Sequence, residues 1–199
     1  MTPGWPSAVH ARIAAFIAAS GQPSGPTGVP PRGLAEALAL ELCAWQRTHN
    51  AAYGALFEGE PRRLVDIPAV PVALFRDLAL TCFPAEEATA VFRTSGTTGQ
   101  ARGVHRLRDS RMYDLSATTW FRRRLPDAPR RVVSLCPAGP DADPTSASSL
   151  GHMVDHLAGS VTHCFHDGAV DPAAAWAALA GDAPTFLATT AFSLDALLG

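Results

Sequence analysis

Ser160-Val161-Thr162-His163-Cys164-Phe165, Asp171-Pro172-Ala173-Ala174-Ala175-Trp176-Ala177-Ala178-Leu179 and Thr185-Phe186-Leu187-Ala188 follow one another along the chain. The first and third runs are rich in β-branched and aromatic residues, and the spacing predicts two strands. The middle run is Ala-rich. It opens on Asp171-Pro172, a capping side chain followed by a proline at the first helical position, which needs no N–H there. Strand, helix, strand of this length is the unit from which parallel sheets are built.

The same alternation extends outward. Val132 to Cys136 reads as a strand and Ser148 to Ala158 as a helix, with Ser148 or Ser149 as its cap. Ala191 to Leu198 starts another helix. The order βαβαβα predicts an α/β fold in which N-terminal helices precede a mostly parallel sheet with helices on both faces.

Nearer the N-terminus the pattern is helical. Ser7 to Ala19 and Leu34 to Asn50 read as helices, the second with apolar residues at Leu34, Leu38, Leu42 and Trp45, the spacing of one face. A Pro/Gly-rich stretch, residues 21–33, separates them, so that residues 1–33 are expected to form a helix and linker and residues 34–199 the main domain. Pro61, Pro68 and Pro71 predict an extended Leu64 to Val72, and Phe75 to Leu80 a short helix. Ala88 to Arg93 reads as a strand. Asp109 or Ser110 caps a helix that carries Met112, Leu115, Thr119 and Trp120 and stops near Arg124, before Pro126.

Composition narrows the function. The chain has 199 residues, almost half of them apolar, and a net charge of −2. Near-balance of charge argues against a nucleic-acid-binding protein held by electrostatics. All fixed cations are Arg; no Lys occurs. Cys43, Cys82, Cys136 and Cys164 are widely spaced, which suits reduced thiols in a cytoplasmic protein. The apolar run Ile13 to Ala19 is too short to span a bilayer, and no membrane association is expected.

The chemistry is carried by Arg93-Thr94-Ser95-Gly96-Thr97-Thr98-Gly99-Gln100-Ala101-Arg102-Gly103. Four hydroxyls and two glycines follow a strand. Glycines let backbone N–H groups converge on an anion, hydroxyls add donors, and Arg102 adds a fixed charge. This is not a Walker A loop, which needs a Lys. The string Thr94, Ser95, Gly96, Thr97, Thr98, Gly99 resembles the phosphate loop of the adenylate-forming superfamily, although Ala101-Arg102-Gly103 stands where that family has Pro-Lys-Gly.

Four flanking segments resemble the LuxE-type acyl-protein synthetases within that superfamily. They are Leu38 to Tyr53, Asp66-Ile67-Pro68-Ala69-Val70-Pro71 with Phe75-Arg76, Ser148-Ser149-Leu150 with Met153, and Thr190-Ala191-Phe192. Thr189 departs from the Gly expected there. The resemblance runs from about residue 34 onward and implies part of the large N-terminal domain of an adenylate-forming enzyme. It implies ATP and Mg2+ as cofactors, a carboxylic, typically fatty, acid as substrate, and transfer of the acyl group from an acyl-adenylate to a protein thiol. Thr94 to Gly99 and Arg102 would hold ATP, and Thr190, Ala191 and Phe192 the acid. The magnesium ligand, the lid and the acceptor cysteine would lie beyond residue 199. The resemblance therefore allows for a companion polypeptide or a separate acyl acceptor, for self-association through Thr185 to Leu198, and for a nucleotide- or acyl-binding module without catalysis.

Other groups have plainer readings beside functional ones. His152-Met153-Val154-Asp155-His156 places two imidazoles one helical turn apart and resembles the H-x-x-E-H of some zinc peptidases, which would make a metal-dependent hydrolase. No third ligand is evident, and an ordinary helix with one solvated face is the simpler reading; no metal site is expected. His163 and Cys164 should face opposite sides of a strand, with Cys164 in the core. Arg122-Arg123-Arg124 and Arg130-Arg131 suit a solvated helix end. Trp45 and Trp120 are expected in the core.

Overall fold

The computed structural model describes residues 7–20, 32–94, 103–125, 127, 131–140, 148–157 and 159–199. The protein is a mixed α/β chain whose contacts divide it into two compact units, Met1–Thr119 and Trp120–Gly199.

In the first unit, α1 (Ser7–Ser20) packs on α2 (Arg32–His49), burying Val9, Leu38 and Cys43. Leu34 stays exposed, so the buried stripe of α2 begins one turn later than its apolar spacing predicts. Asn50 ends α2 and caps α3 (Ala51–Gly54), its Oδ1 accepting the Tyr53 N–H at 2.9 Å. Leu64 to Val72 is not simply extended: Leu64–Asp66 forms a 3-10 turn. Asp66 accepts the backbone N–H groups of Arg62 and Arg63, which curls the chain back locally. The helix α4 (Leu74–Asp77) is shorter than expected. It packs beside an antiparallel pair, β1 (Ala90–Arg93) and β2 (Val104–Leu107), in which Arg93 faces Val104. The strand β2, unforeseen in the sequence, is short and rich in polar residues.

α5 (Arg111–Arg124) begins where Asp109 Oδ1 accepts the Arg111 N–H at 3.1 Å and stops before Pro126, as the capping and proline signals require.

The second unit is the α/β part. β3 (Arg131–Ser134) leads through α6 (Ser149–Leu157) to β4 (Ser160–His163). The expected strand Ser160 to Phe165 breaks at Cys164. Phe165–His166 (β5) instead pairs antiparallel with Ala169–Val170 (β6), around a turn in which Asp167 and Gly168 both have positive φ. Asp171 then caps α7 (Pro172–Leu179), accepting the Ala174 N–H at 2.9 Å. The chain returns as β7 (Phe186–Ala188) and ends in α8 (Ala191–Leu198), capped by Thr190.

The sheet order is β4-β3-β7, all parallel. Successive β3 residues point to opposite faces. Val133 and Leu135 pack with Cys164, Ala175 of α7 and Leu197 of α8. Val132 packs with Val154 of α6, Val161, Phe186 and Ala188. Helices therefore cover both faces of the sheet. Phe121, in the last turns of α5, meets Phe186 edge-on at 5.5 Å.

Candidate functional site

The Gly/Thr-rich stretch joins β1 to β2. Thr94 donates its N–H to Gly103 O at 3.0 Å, and Gly103 donates its N–H to Thr94 Oγ1 at 2.9 Å. This reciprocal pair closes the base of the connection. Ser95, Gly96, Thr97, Thr98, Gly99 and Arg102 lie outside the described residues. Gly103 is buried, and a Cβ there would stand 3.3 Å from both Thr94 Oγ1 and Cγ2. The Phe75-Arg76 segment, far away in sequence, meets the same place. The Phe75 ring lies 4.5 Å from the His105 ring, and Arg76 N is 3.9 Å from where a Gly103 Cβ would be. Two segments singled out separately in the sequence are thus neighbours at the loop base.

The second unit offers a different kind of site. The chain leaves β3 through α6 on one face toward β4 and returns through α7 on the other face to β7. The direction of winding switches between β3 and β7, and in open parallel sheets ligands bind outside the carboxyl ends of the strands at such a switch. Leu135 N–H to Ala188 O, 2.8 Å, continues the pairing up to this edge. Thr189, Thr190, Ala191 and Phe192 follow immediately after β7. Thr190 Oγ1 accepts the Ser193 N–H at 3.2 Å, which fixes the start of α8, while Phe192 is 90% exposed. The residues expected to bind substrate therefore lie at the carboxyl edge of the sheet.

A part-buried polar network underpins that edge. Asp155 of α6 accepts the Gly139 N–H on Oδ2 at 3.0 Å, and His163 Nε2 of β4 lies 3.1 Å from Asp155 Oδ1. One carboxylate thus ties together the segment after β3, α6 and β4. The fit depends on two glycines. A Cβ on Gly151 would run into Pro137 O and Ala138, and one on Gly139 would stand 2.6 Å from the His152 backbone nitrogen. The sequence signal for this network was the glycine inside a helix pattern, Gly151, together with Pro137-Ala138-Gly139-Pro140.

His152 and His156 lie side by side on α6. The rings of His152 and His156 lie 4.1 Å apart between centroids, and His156 Nδ1 approaches His152 O at 2.9 Å. Asp155, the residue in the Glu position of that motif, is engaged by Gly139 and His163 instead. His163 faces α6 while Cys164 lies in the core on the opposite face. Burial raises the thiol pKa of Cys82, Cys136 and Cys164, so each stays a protonated, poorly nucleophilic thiol at neutral pH. Trp45 is half-buried and stacks on His49 at 4.3 Å; Trp120 departs from the expected core position and is exposed. Among the described residues no helix is long and apolar enough to cross a membrane.

Set against known protein families, curated proteins and solved structures, the chain finds no match in any of the three.

Proposed function

We propose that the chain carries the triphosphate-binding loop of an ATP-dependent, acyl-adenylate-forming ligase of the LuxE-type acyl-protein synthetase kind, within a cytoplasmic protein. The observation that carries this reading is the Thr94–Gly103 pair. It pins both ends of residues 95–102, so the Ser, Thr and Gly groups between them start from a fixed base. Closing a loop in advance removes part of the entropy that ordering it around a ligand would cost.

In the reaction, a carboxylate oxygen attacks the α-phosphorus of ATP and pyrophosphate leaves, giving the acyl-adenylate. The hydroxyls and amides of Thr94 to Gly99 would hold the β- and γ-phosphates and take up charge as pyrophosphate departs. Arg102 would add a positive charge beside them. By the same family resemblance, Thr190, Ala191 and Phe192 would contact the acid. The Thr94 hydroxyl and the Arg76 backbone stand beside Gly103 at the loop base. Burial keeps Cys82, Cys136 and Cys164 protonated, which makes these three thiols poor acyl acceptors.

The test is thermal unfolding with ATP and with pyrophosphate alone. Both should raise the midpoint of the wild-type chain and neither that of Gly96→Val, whose branched side chain would block the approach of phosphate to the backbone. An unchanged midpoint, or equal shifts in the two proteins, contradicts the reading.

A further inference from the structure

The long helix α2 gives way at Asn50, whose extended backbone turns the chain before α3 begins. The two helices approach closely there. A Cβ on Gly54 would stand 2.6 Å from Arg47 O, so a side chain at that position would hold α3 off α2. Between the last turn of α2, α3 and Glu60 lies a cavity of about 460 Å³, lined by Ala44, Arg47, Thr48, Ala51, Gly54 and Glu60. Small-molecule sites span about 300–1,000 Å³, so the space suits a small ligand. Ala44, Ala51 and Gly54 put little bulk into it.

Two opposite charges line this cavity without meeting. The Arg47 guanidinium carbon lies 4.8 Å from the centroid of the Phe57 ring, and Phe57 meets Tyr53 edge-on at 5.0 Å. The ring holds the plane of the guanidinium, and among the described residues its N–H groups have no acceptor. The Glu60 carboxylate is exposed and pairs with no described cation, Arg47 included. A solvated surface accounts for Glu60 taken alone. It does not account for an arginine held on an aromatic ring, sharing with that carboxylate a cavity whose other walls are mostly small residues.

We propose that this cavity binds a small zwitterion of the amino-acid or dipeptide class. The ligand's carboxylate takes two parallel hydrogen bonds from Arg47, its ammonium group pairs with Glu60, and its carbon skeleton lies over Ala44, Ala51 and Gly54. Charge selects the class. A simple anion drawn to Arg47 is opposed by Glu60, and a simple cation drawn to Glu60 is opposed by Arg47. A molecule carrying both signs satisfies both walls. The site shares no residue with the Thr94 loop and goes beyond the ligase reading.

The test is isothermal titration of the full chain with three probes of similar size at millimolar concentrations. They are alanylalanine, its N-acetyl form, which lacks the ammonium, and its C-terminal amide, which lacks the carboxylate. Alanylalanine should bind, and each blocked form should bind more weakly by on the order of tenfold. Arg47→Gln should hold alanylalanine no better than the wild type holds the amide. Glu60→Gln should hold it no better than the wild type holds the N-acetyl form. Ala51→Phe, which fills the cavity from an exposed position on α3, should abolish binding. No binding of alanylalanine by the wild type, equal binding of the three probes, or a Glu60→Gln variant that binds like the wild type overturns the proposal. Circular dichroism separates a lost site from a lost fold, and exposed Glu60 tests the site without disturbing the Arg47–Phe57 packing. Thermal stabilisation by ATP should persist in Glu60→Gln and Ala51→Phe, so this site and the phosphate loop can fail separately.

Discussion

Asp155 Oδ2 accepts the backbone N–H of Gly139 at 3.0 Å, so a helix side chain holds the segment that follows the central strand. The other oxygen faces His163, whose Nδ1 is buried with no hydrogen-bond partner among the described residues. Removing the carboxylate leaves the Gly139 N–H and the part-buried His163 ring without their shared partner. Asp155→Ala is expected to lower unfolding free energy by about 2–3 kcal/mol, the scale of hydrogen bonds to a charged group. Asp155→Asn, which keeps an acceptor for Gly139, should cost less. Urea unfolding at neutral pH measures both. Equal losses would show that the Gly139 bond carries none of the effect.

The glycines separate close packing from open helix. Gly151→Ala drives a methyl group into Pro137 O and Ala138, and a loss of about 2 kcal/mol or more is expected. Gly33, in the first turn of α2, has nothing within 4 Å of its Cβ position. There Gly33→Ala should stabilise by about 0.5–1 kcal/mol through helix propensity. The opposite signs can be read from thermal midpoints under one set of conditions.

Both of these sites bear on what the sequence could reveal. α6, α7 and α8 were legible because their caps are local: Ser148 accepts the Gly151 N–H, and Asp171 and Thr190 each cap their own first turn. The parallel order followed from strand–helix alternation alone. The β5–β6 hairpin was missed although Asp167-Gly168 is a hairpin-turn signal, because Ser160 to Phe165 reads as one uninterrupted β-prone run. Trp120 was misplaced because one apolar position on a short amphipathic turn does not tell which of Trp120 and Phe121 faces inward. At the candidate site, Phe75 meeting His105 and Asp155 meeting Gly139 are long-range contacts that no periodicity encodes.

The pH dependence of the first unit has a definite sign. His10 of α1 has its pKa lowered from the usual histidine value, first by burial and also by Arg111, with Asp109 acting in the opposite sense. The folded chain therefore holds fewer protons than the unfolded one once pH falls below about 6.5. Stability should decline from there down to the lowered folded pKa and then level off as far as His10 is concerned. His10→Gln should flatten that part of the profile. A wild-type profile that rises on acidification through this window would contradict the burial of His10.

Thr190 Oγ1 caps α8 at the carboxyl edge of the sheet. Thr190→Ala should cost about 1 kcal/mol, and Thr190→Ser much less, because only the hydroxyl is needed. Chemical denaturation of the two variants checks this. A Ser variant as unstable as Ala would mean that the methyl group matters more than the cap.

The central claim is that residues 94–103 form a phosphate loop. Hydrogen–deuterium exchange of the full chain, with and without ATP and magnesium, tests it most directly. The account predicts that ATP slows amide exchange across Ser95 to Arg102, with the bracketing Thr94 and Gly103 already protected in its absence, and that Gly96→Val abolishes the slowing. ATP-dependent protection confined to other segments, or none at all at saturating ATP, would contradict it.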